Sequence, residues 1–426
     1  MGSEIMEASK SPDVGGLALR RWGQLALGIV CMVAIANVQY GWTLFIDPIN
    51  QKHAWGTTAL QWTFSIVIAT ETFLAMPLGG YLIDRSSPKW ACIGGPLIAI
   101  GWYLNSIADA LYLFYVAAVI IGSGTGLVFA AVYGNAPKWF PEKRGFALGL
   151  TAFGFAGGGV LTAVPLDNVI KTSGYEAAYQ WFGIGQGIVV FVSGLLLRAP
   201  LQGEVTASAS ARVSQGKRDY AFLEMLRSPP FWLMYVMFVL VGAGGLMLQA
   251  QLAPIARDFA IDKVPVTILG LTMLTPIFAV SLLQVTNGFS RPAFGWLSDR
   301  IGREGTMFIA FSLEALSFFA MVFFAKDPIW FVLLTGLVFF FWGEIFSLFP
   351  AICADAYGSK FQSVNYGLLY TAKGMASLLV PLASMLKDAT GSWSYVFIVV
   401  VMFNGFAALL ALFLKASRKR FMAREG

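Results

Sequence analysis

The sequence predicts an all-α integral membrane protein, with twelve transmembrane helices arranged as two pseudo-symmetric six-helix halves. Three observations carry that expectation. The 426 residues are 57% hydrophobic and only 12% charged, with a mean hydropathy of +0.70, whereas about a quarter of the residues of a soluble domain are charged. Twelve separate apolar runs approach the roughly 20 residues that a helix needs to cross a hydrocarbon core of about 30 Å. One charged loop pattern occurs twice, half the chain apart.

The runs extend over Trp22–Ile46, Leu60–Ile83, Trp90–Ile107, Leu111–Ala136, Phe146–Leu166 and Tyr179–Leu197, which are spans 1 to 6. Spans 7 to 12 follow over Phe231–Leu252, Val266–Leu297, Thr306–Phe324, Ile329–Ala351, Asn365–Leu386 and Trp393–Leu414. The predicted organisation is a tail over 1–21, a six-helix half over 22–197, a polar linker over 198–230, a second half over 231–414 and a tail over 415–426.

Charge sets the orientation, because loops facing the cytoplasm carry the Lys and Arg excess. Of the 29 Lys and Arg residues, six lie in odd-numbered loops: Lys52, Lys171, Arg257, Lys263, Lys326 and Lys387. Two, Arg291 and Lys373, lie inside spans, and the other 21 occupy the termini and the even-numbered loops. Both termini are therefore expected in the cytoplasm, and the net charge of +6 is a topology signal rather than a nucleic-acid footprint.

Other classes of function find no support. The polar start lacks a small-residue cleavage site after span 1, so no removable signal peptide is read, and Met6 stands where a myristoylation signal wants Ser or Thr. Cys31, Cys92 and Cys353 have unrelated spacings, and His53 is the single histidine, so no disulfide framework, metal site or cofactor is expected. Gly122-Ser-Gly124-Thr-Gly126 lies inside an apolar helix with no preceding strand, which fits small-residue packing rather than phosphate binding. With no acid/base pair, triad or metal cluster, no enzyme is expected.

The repeated pattern is Gly80-Tyr-Leu-Ile-Asp84-Arg85-Ser-Ser-Pro-Lys89 after span 2 and Gly295-Trp-Leu-Ser-Asp299-Arg300-Ile-Gly-Arg303 after span 8. It resembles the Gly-x-x-x-Asp-Arg-x-Gly-Arg-Lys signature of the major facilitator superfamily, with Ser87 in place of the usual glycine. The resemblance implies that Asp84, Arg85, Asp299 and Arg300 gate the halves from the cytoplasmic ends of helices; alternatively they determine topology only.

Four further stretches resemble the bacterial oxalate:formate antiporters: Asn37 to Phe45, Lys138 to Gly145, Ser290 to Asp299, and Asn365 to Lys373. In that family an Arg on helix 8 and a Lys on helix 11 hold the dicarboxylate, and Arg291 and Lys373 occupy those motif positions. Gln39, Tyr40 and Trp342 match site-lining positions on helices 1 and 10. Phe129, Phe155 and Phe346 stand where the family has tyrosine, and Tyr370 where it has tryptophan. The resemblance also implies a multi-pass protein of the bacterial inner membrane.

The residues lead to the same pocket without the family. At 1.5 Å per residue Arg291 lies about 12 Å from Asp299, and Lys373 about as far from Asn365, which puts both near mid-membrane. A cation there costs about 2.5–3.5 kcal/mol on insertion scales, so it marks a functional site by default. Pro292 is expected to kink span 8, and Tyr370, three residues before Lys373, shares its helical face. The alternatives are that Arg291 snorkels to the loop and that Lys373 pairs with Glu344 on span 10. Glu71 and Glu314 are intramembrane acids that either carry protons or make interhelical hydrogen bonds. Gly154, Gly157, Gly158 and Gly159 are expected to pack span 5 where the halves slide, or within its own half.

Together these features predict a secondary carrier that exchanges small carboxylates, oxalate against formate, by alternating access. Parallel repeats place the site at their interface. Span 1 carries no Asp or Glu between Trp22 and Ile46, which favours anion exchange over proton symport. The rival readings are a monocarboxylate transporter of lactate or pyruvate type and a non-transporting carboxylate sensor.

Overall fold

The structure is a computed structural model that describes residues 14–201, 204–205 and 218–425. Residues 1–13 of the expected N-terminal tail, 202–203 and 206–217 of the linker, and 426 lie outside the described residues. Among the described residues, nine helices are long and apolar enough to cross a membrane. One of them, Arg144–Leu196, contains spans 5 and 6. The shorter Ala91–Ile107 and the less apolar Thr275–Ile301 supply spans 3 and 8, completing twelve. Twelve crossings return the chain to the face where it starts, the terminal face, as opposed to the far face.

Spans 1, 2 and 4 run over Gly16–Tyr40, Ala59–Arg85 and Leu111–Trp139. Spans 7, 9, 10, 11 and 12 run over Pro229–Asp258, Arg303–Phe324, Pro328–Tyr357, Gln362–Thr390 and Trp393–Phe421. The membrane-facing surface is apolar, as Leu161, Leu316 and Phe413 are each more than half exposed. The polar exceptions Asn37, Glu71, Arg291, Glu314, Glu344 and Lys373 are all buried.

Four elements depart from the predicted runs. Spans 5 and 6 form one helical stretch, turned at Gly174 (φ 86°), where the sequence suggested a longer loop. Span 8 begins at Thr275 rather than Val266, because Pro265–Ile268 pairs antiparallel with Leu271–Leu274. The β-branched residues of the first strand suit a pleated ladder. Leu269 and Gly270 (φ 51° and 81°) make the two-residue turn, whose twist matches paired strands. Pro292 sits inside span 8, which runs unbroken from Thr275 to Ile301. Span 12 continues as helix to Glu425, past the predicted Leu414.

Three spans are interrupted at the level where polar groups gather. Span 1 breaks at Ala36 and again at Gly41, on either side of Asn37–Tyr40. Span 10 breaks between Trp342 and Ile345, where Gly343 lies against span 8: a Cβ there would sit 2.2 Å from Ser290 Oγ. Span 2 carries one π-helical turn, Thr70–Ala75, an element found mostly at functional sites.

Candidate functional site

Arg291 is 2% exposed. One guanidinium nitrogen donates to the Ala152 carbonyl on span 5, in the other half, at 2.8 Å, and another to Asn287 Oδ1 at 3.3 Å. Its guanidinium carbon lies 4.6 Å from the centre of the Phe346 ring. Its Nε has no hydrogen-bond partner, and no carboxylate forms an ion pair with it among the described residues. Arg291 does not snorkel; its neighbours hold it in the interior.

Lys373 is also buried. Its Nζ donates to Tyr370 Oη at 2.9 Å and stands 3.5 Å from Glu71 Oε1 on span 2. Glu71 is fully buried, and its other oxygen accepts from Gln39 Nε2 at 2.8 Å. A chain of polar contacts therefore runs from span 1 through span 2 to span 11 and joins the two halves. Glu344, the alternative partner, lies elsewhere: its carboxylate has no hydrogen bond, and the nearby acid is Glu314, itself close to Asn404 and Gly244.

The aromatic residues close around these groups. Tyr40 touches Phe155 (ring centres 5.3 Å apart), Phe155 touches Phe129 (4.9 Å), and Phe129 touches Tyr370 (5.8 Å). Tyr370 meets Phe346 at 6.4 Å, and Phe346 meets Trp342 at 5.2 Å. The Trp342 indole N–H is tied to the Val241 carbonyl at 3.0 Å, leaving only its face for a ligand. All nine residues singled out from the sequence as a binding pocket thus form one contiguous cluster spanning both halves. Glu71 joins it as the residue that sequence reasoning left in a lesser role.

At the terminal face the two motif aspartates act alike. Asp84 accepts from the Val364 backbone N–H at 2.9 Å, in the first turn of span 11, and pairs with Lys138 at 3.1 Å. Asp299 accepts from the Gly145 and Phe146 N–H groups at 3.1 and 2.9 Å, in the first turn of span 5, and pairs with Arg303 at 2.6 Å. Each carboxylate caps a helix of the opposite half, where unpaired N–H groups and the helix dipole favour negative charge. Arg85 and Arg300 take no part in these pairs. They lie over Tyr81 and Trp296, 4.1 and 3.9 Å from the ring centres. The buried cations of the latch are instead Arg144 and Arg303, which converge on Asp355 at 2.9 and 2.8 Å. Asp355 near the end of span 10, which carries one other acid, Glu344, was the available signal.

Glycines set how closely the halves approach. A Cβ on Gly80 would lie 2.5 Å from the Ser363 carbonyl, and one on Gly295 would lie 2.1 Å from the Gly145 carbonyl oxygen. The motif thus opens on glycine because backbone meets backbone across the interface. Gly154, Gly158 and Gly159 do otherwise: they abut Ile29, Val33 and Tyr40 of span 1 in their own half, and Gly157 faces only Phe153. They pack span 5 within the first half rather than along the sliding surface. Gly122, Gly124 and Gly126 likewise pack span 4 on spans 2 and 3.

Among the described residues, the recorded hydrogen bonds and ion pairs between halves lie from the terminal face to the level of Glu71 and Lys373. Near the far face, Lys52–Glu176, His53–Tyr175 and Lys387–Asp258 each stay within a half. The halves are latched at the terminal face, with a buried charged cluster packed among aromatic rings at the depth where the latch ends.

Two six-helix halves that meet at a buried polar cluster are the arrangement of a secondary carrier. The family profile described as Major Facilitator Superfamily matches residues 25–284 and 264–424, and the chain belongs to that superfamily. It is 31% identical over 410 residues to the "Oxalate:formate antiporter" of Oxalobacter formigenes, covering 95% of this chain and 94% of that protein. It is 25% identical to "Monocarboxylate transporter 12-B" of Danio rerio, covering 96% and 88%. Among solved structures, the proton:xylose symporter XylE aligns with a TM-score of 0.70 at 12% identity, covering 92% of this chain and 95% of that one. The Escherichia coli fucose:proton symporter aligns with a TM-score of 0.68 at 17% identity, covering 93% and 99%. These two likenesses concern the fold alone.

Proposed function

We propose that this carrier exchanges oxalate for formate across a bacterial inner membrane, with the terminal face in the cytoplasm. The observation that carries the reading is Arg291: a guanidinium 2% exposed, without a carboxylate partner, and with an unbonded Nε. A buried unpaired charge is costly, and an anion that pairs with it and accepts its free donor removes the cost. Arg291 grips one carboxylate, Lys373 takes the second end of a dicarboxylate, and Gln39, Tyr40, Tyr370 and Trp342 complete the pocket. Phe129, Phe155 and Phe346 exclude water, which strengthens the charge pairing.

The same unpaired charge accounts for exchange. A pocket that crosses the membrane with an uncompensated cation passes through a low-dielectric barrier, so the halves rock readily only when an anion is bound. Asp84 and Asp299 act as the gate with Lys138, Arg144, Arg303 and Asp355, whereas Arg85 and Arg300 hold the membrane edge over aromatic rings. No cofactor and no covalent chemistry enters this cycle; it is transport, not catalysis of a reaction.

A second reading, a monocarboxylate carrier, is favoured by the Glu71–Lys373 pair, which leaves a single free cation, and by the similarity to proteins named monocarboxylate transporters. Counterflow separates the two. Proteoliposomes preloaded with formate should accumulate labelled oxalate, and lactate or phosphate should compete poorly. Accumulation of lactate with no effect of oxalate would favour the second reading, and exchange of neutral sugars alone would refute both.

A further inference from the structure

Inside the first half, away from the interface, spans 1, 2, 3, 4 and 6 enclose a cavity of about 20 Å³. It lies between the level of Asn37 and the far face, where span 3 ends at Ile107 and the chain turns at Gly174. Five polar side chains line it: Asn37 and Trp42 from span 1, Thr63 from span 2, Asn105 from span 3 and Tyr179 from span 6. Each is more than nine-tenths buried. Asn37 Oδ1, Trp42 Nε1, Thr63 Oγ1, Asn105 Oδ1 and Tyr179 Oη all make no hydrogen bond among the described residues. The rest of the wall is uncharged and apolar, and Phe45 stacks on Tyr179 with ring centres 4.0 Å apart, which holds the phenol against the cavity.

We propose that this cavity is a site for one or two resident water molecules, which seat the Asn37–Tyr40 segment of span 1 within the first half. The chemistry of the five groups selects the ligand. The indole N–H can only donate, the two amide oxygens can only accept, and the two hydroxyls can do either. An anion would satisfy the indole and leave the amide oxygens unmet, a cation would do the reverse, and no charged side chain is present to balance either. Turning an amide over exchanges one demand for the other and leaves the set mixed. Water both donates and accepts, and it needs about 10–15 Å³ and 2–4 polar partners, which this cavity supplies; oxalate and formate are too large for it. Asn37 and Trp42 stand on either side of Gln39 and Tyr40, which belong to the binding cluster. The segment between the two breaks is held by only a few backbone bonds, Gln39 and Tyr40 N–H to the Ala36 carbonyl and Gly41 N–H to that of Asn37. Water bound to Asn37 and Trp42 therefore fixes the stretch that presents Gln39 to Glu71. This role does not depend on which anion the carrier exchanges.

The test is radiolytic oxidation of the full-length protein in lipid nanodiscs. A short X-ray pulse turns water into hydroxyl radicals, so a buried side chain is oxidised only where water is held beside it, and mass spectrometry locates the added oxygen. Trp42 and Tyr179 should be oxidised despite their burial. Tyr357, which is fully buried with its hydroxyl 2.6 Å from that of Ser228, should not. Trp42 and Tyr179 as inert as Tyr357 would overturn the hydration site without any variant. In Thr63→Val combined with Asn105→Leu, which keeps the shape of the cavity and removes two of the water's partners, oxidation of Trp42 should be lost. Hydrogen–deuterium exchange of the Gln39, Tyr40 and Gly41 amides should then quicken about 2- to 13-fold, the effect of one lost hydrogen bond, while the rest of span 1 is unchanged. Exchange at the unmodified rate in a variant that has lost the Trp42 oxidation would overturn the seating role. If the double variant elutes as aggregate in gel filtration, Tyr179→Phe, which deletes a single hydroxyl, should lower Trp42 oxidation and quicken the same amides, and no change in either would overturn the proposal.

Discussion

Replacing Gly295 with alanine should hold the terminal face open. A Cβ at this position would lie 2.1 Å from the Gly145 carbonyl oxygen and 2.6 Å from its carbonyl carbon. Carbon–oxygen contacts settle at about 3.3 Å, so the two backbones would have to separate by about 1 Å, and neither is a flexible side chain that can turn aside. Overpacking of this kind costs about 1–3 kcal/mol, which is roughly 5- to 150-fold in a two-state equilibrium. Only the state closed at the terminal face contains this contact, so the penalty becomes a population shift rather than a loss of folding. Spin labels on cysteines introduced at Lys143 and Lys360, exposed loop positions in opposite halves, would report it by pulsed electron resonance after replacement of Cys31, Cys92 and Cys353. The long-distance population should grow and turnover should fall. Gly80→Ala should act alike through Ser363, whereas Gly305→Ala, with nothing within 4 Å, should change neither. A wild-type distance distribution in folded Gly295→Ala would refute the claim that these backbones set the closed state.

Three other substitutions bear on the pocket and the latch. Arg291→Lys keeps the charge but loses the planar fork; with charged hydrogen bonds worth about 1.5–3 kcal/mol, oxalate affinity measured by ligand-induced thermal shift should fall about 10- to 150-fold. Lys373→Gln should weaken oxalate more than formate in the same assay, because the monoanion uses Arg291 alone; equal loss for both would contradict the division of roles. Asp355→Ala leaves Arg144 and Arg303 buried without their shared carboxylate, at a cost of about 3–5 kcal/mol, and should lower the midpoint of thermal unfolding in detergent and favour the open terminal face; an unchanged midpoint would show that the pairs are dispensable.

Much of this was legible in the sequence because the membrane makes polar residues conspicuous. Arg291, Lys373 and Glu71 stand out against apolar runs, and the two Gly-x-x-x-Asp-Arg copies announce both the repeat and the interface. What stayed hidden depends on contacts between distant parts of the chain. The sequence offered only Glu344 as a partner for Lys373, because that Glu71 stands there instead depends on how the halves seat, and Arg144 and Asp355 are 211 residues apart. The glycines of span 5 carry no mark of which neighbour they face. Breaks at Gly41 and Gly343 fall inside runs long and apolar enough overall to read as single spans, and the hairpin before span 8 reads as membrane helix because Val266, Ile268, Leu271 and Met273 are as apolar as the helix that follows.

The exchange cycle requires a carboxylate held by Arg291. A dipolar-coupling measurement between carbon-13 oxalate and protein labelled with nitrogen-15 at arginine side chains, in lipid bilayers at saturating oxalate, tests it most directly. A bidentate grip brings the carboxylate carbon to about 4 Å from the guanidinium nitrogens, so dephasing should be strong in the unmodified protein and disappear in Arg291→Lys. Bound oxalate that shows no coupling to arginine, or coupling that persists in Arg291→Lys, would contradict it.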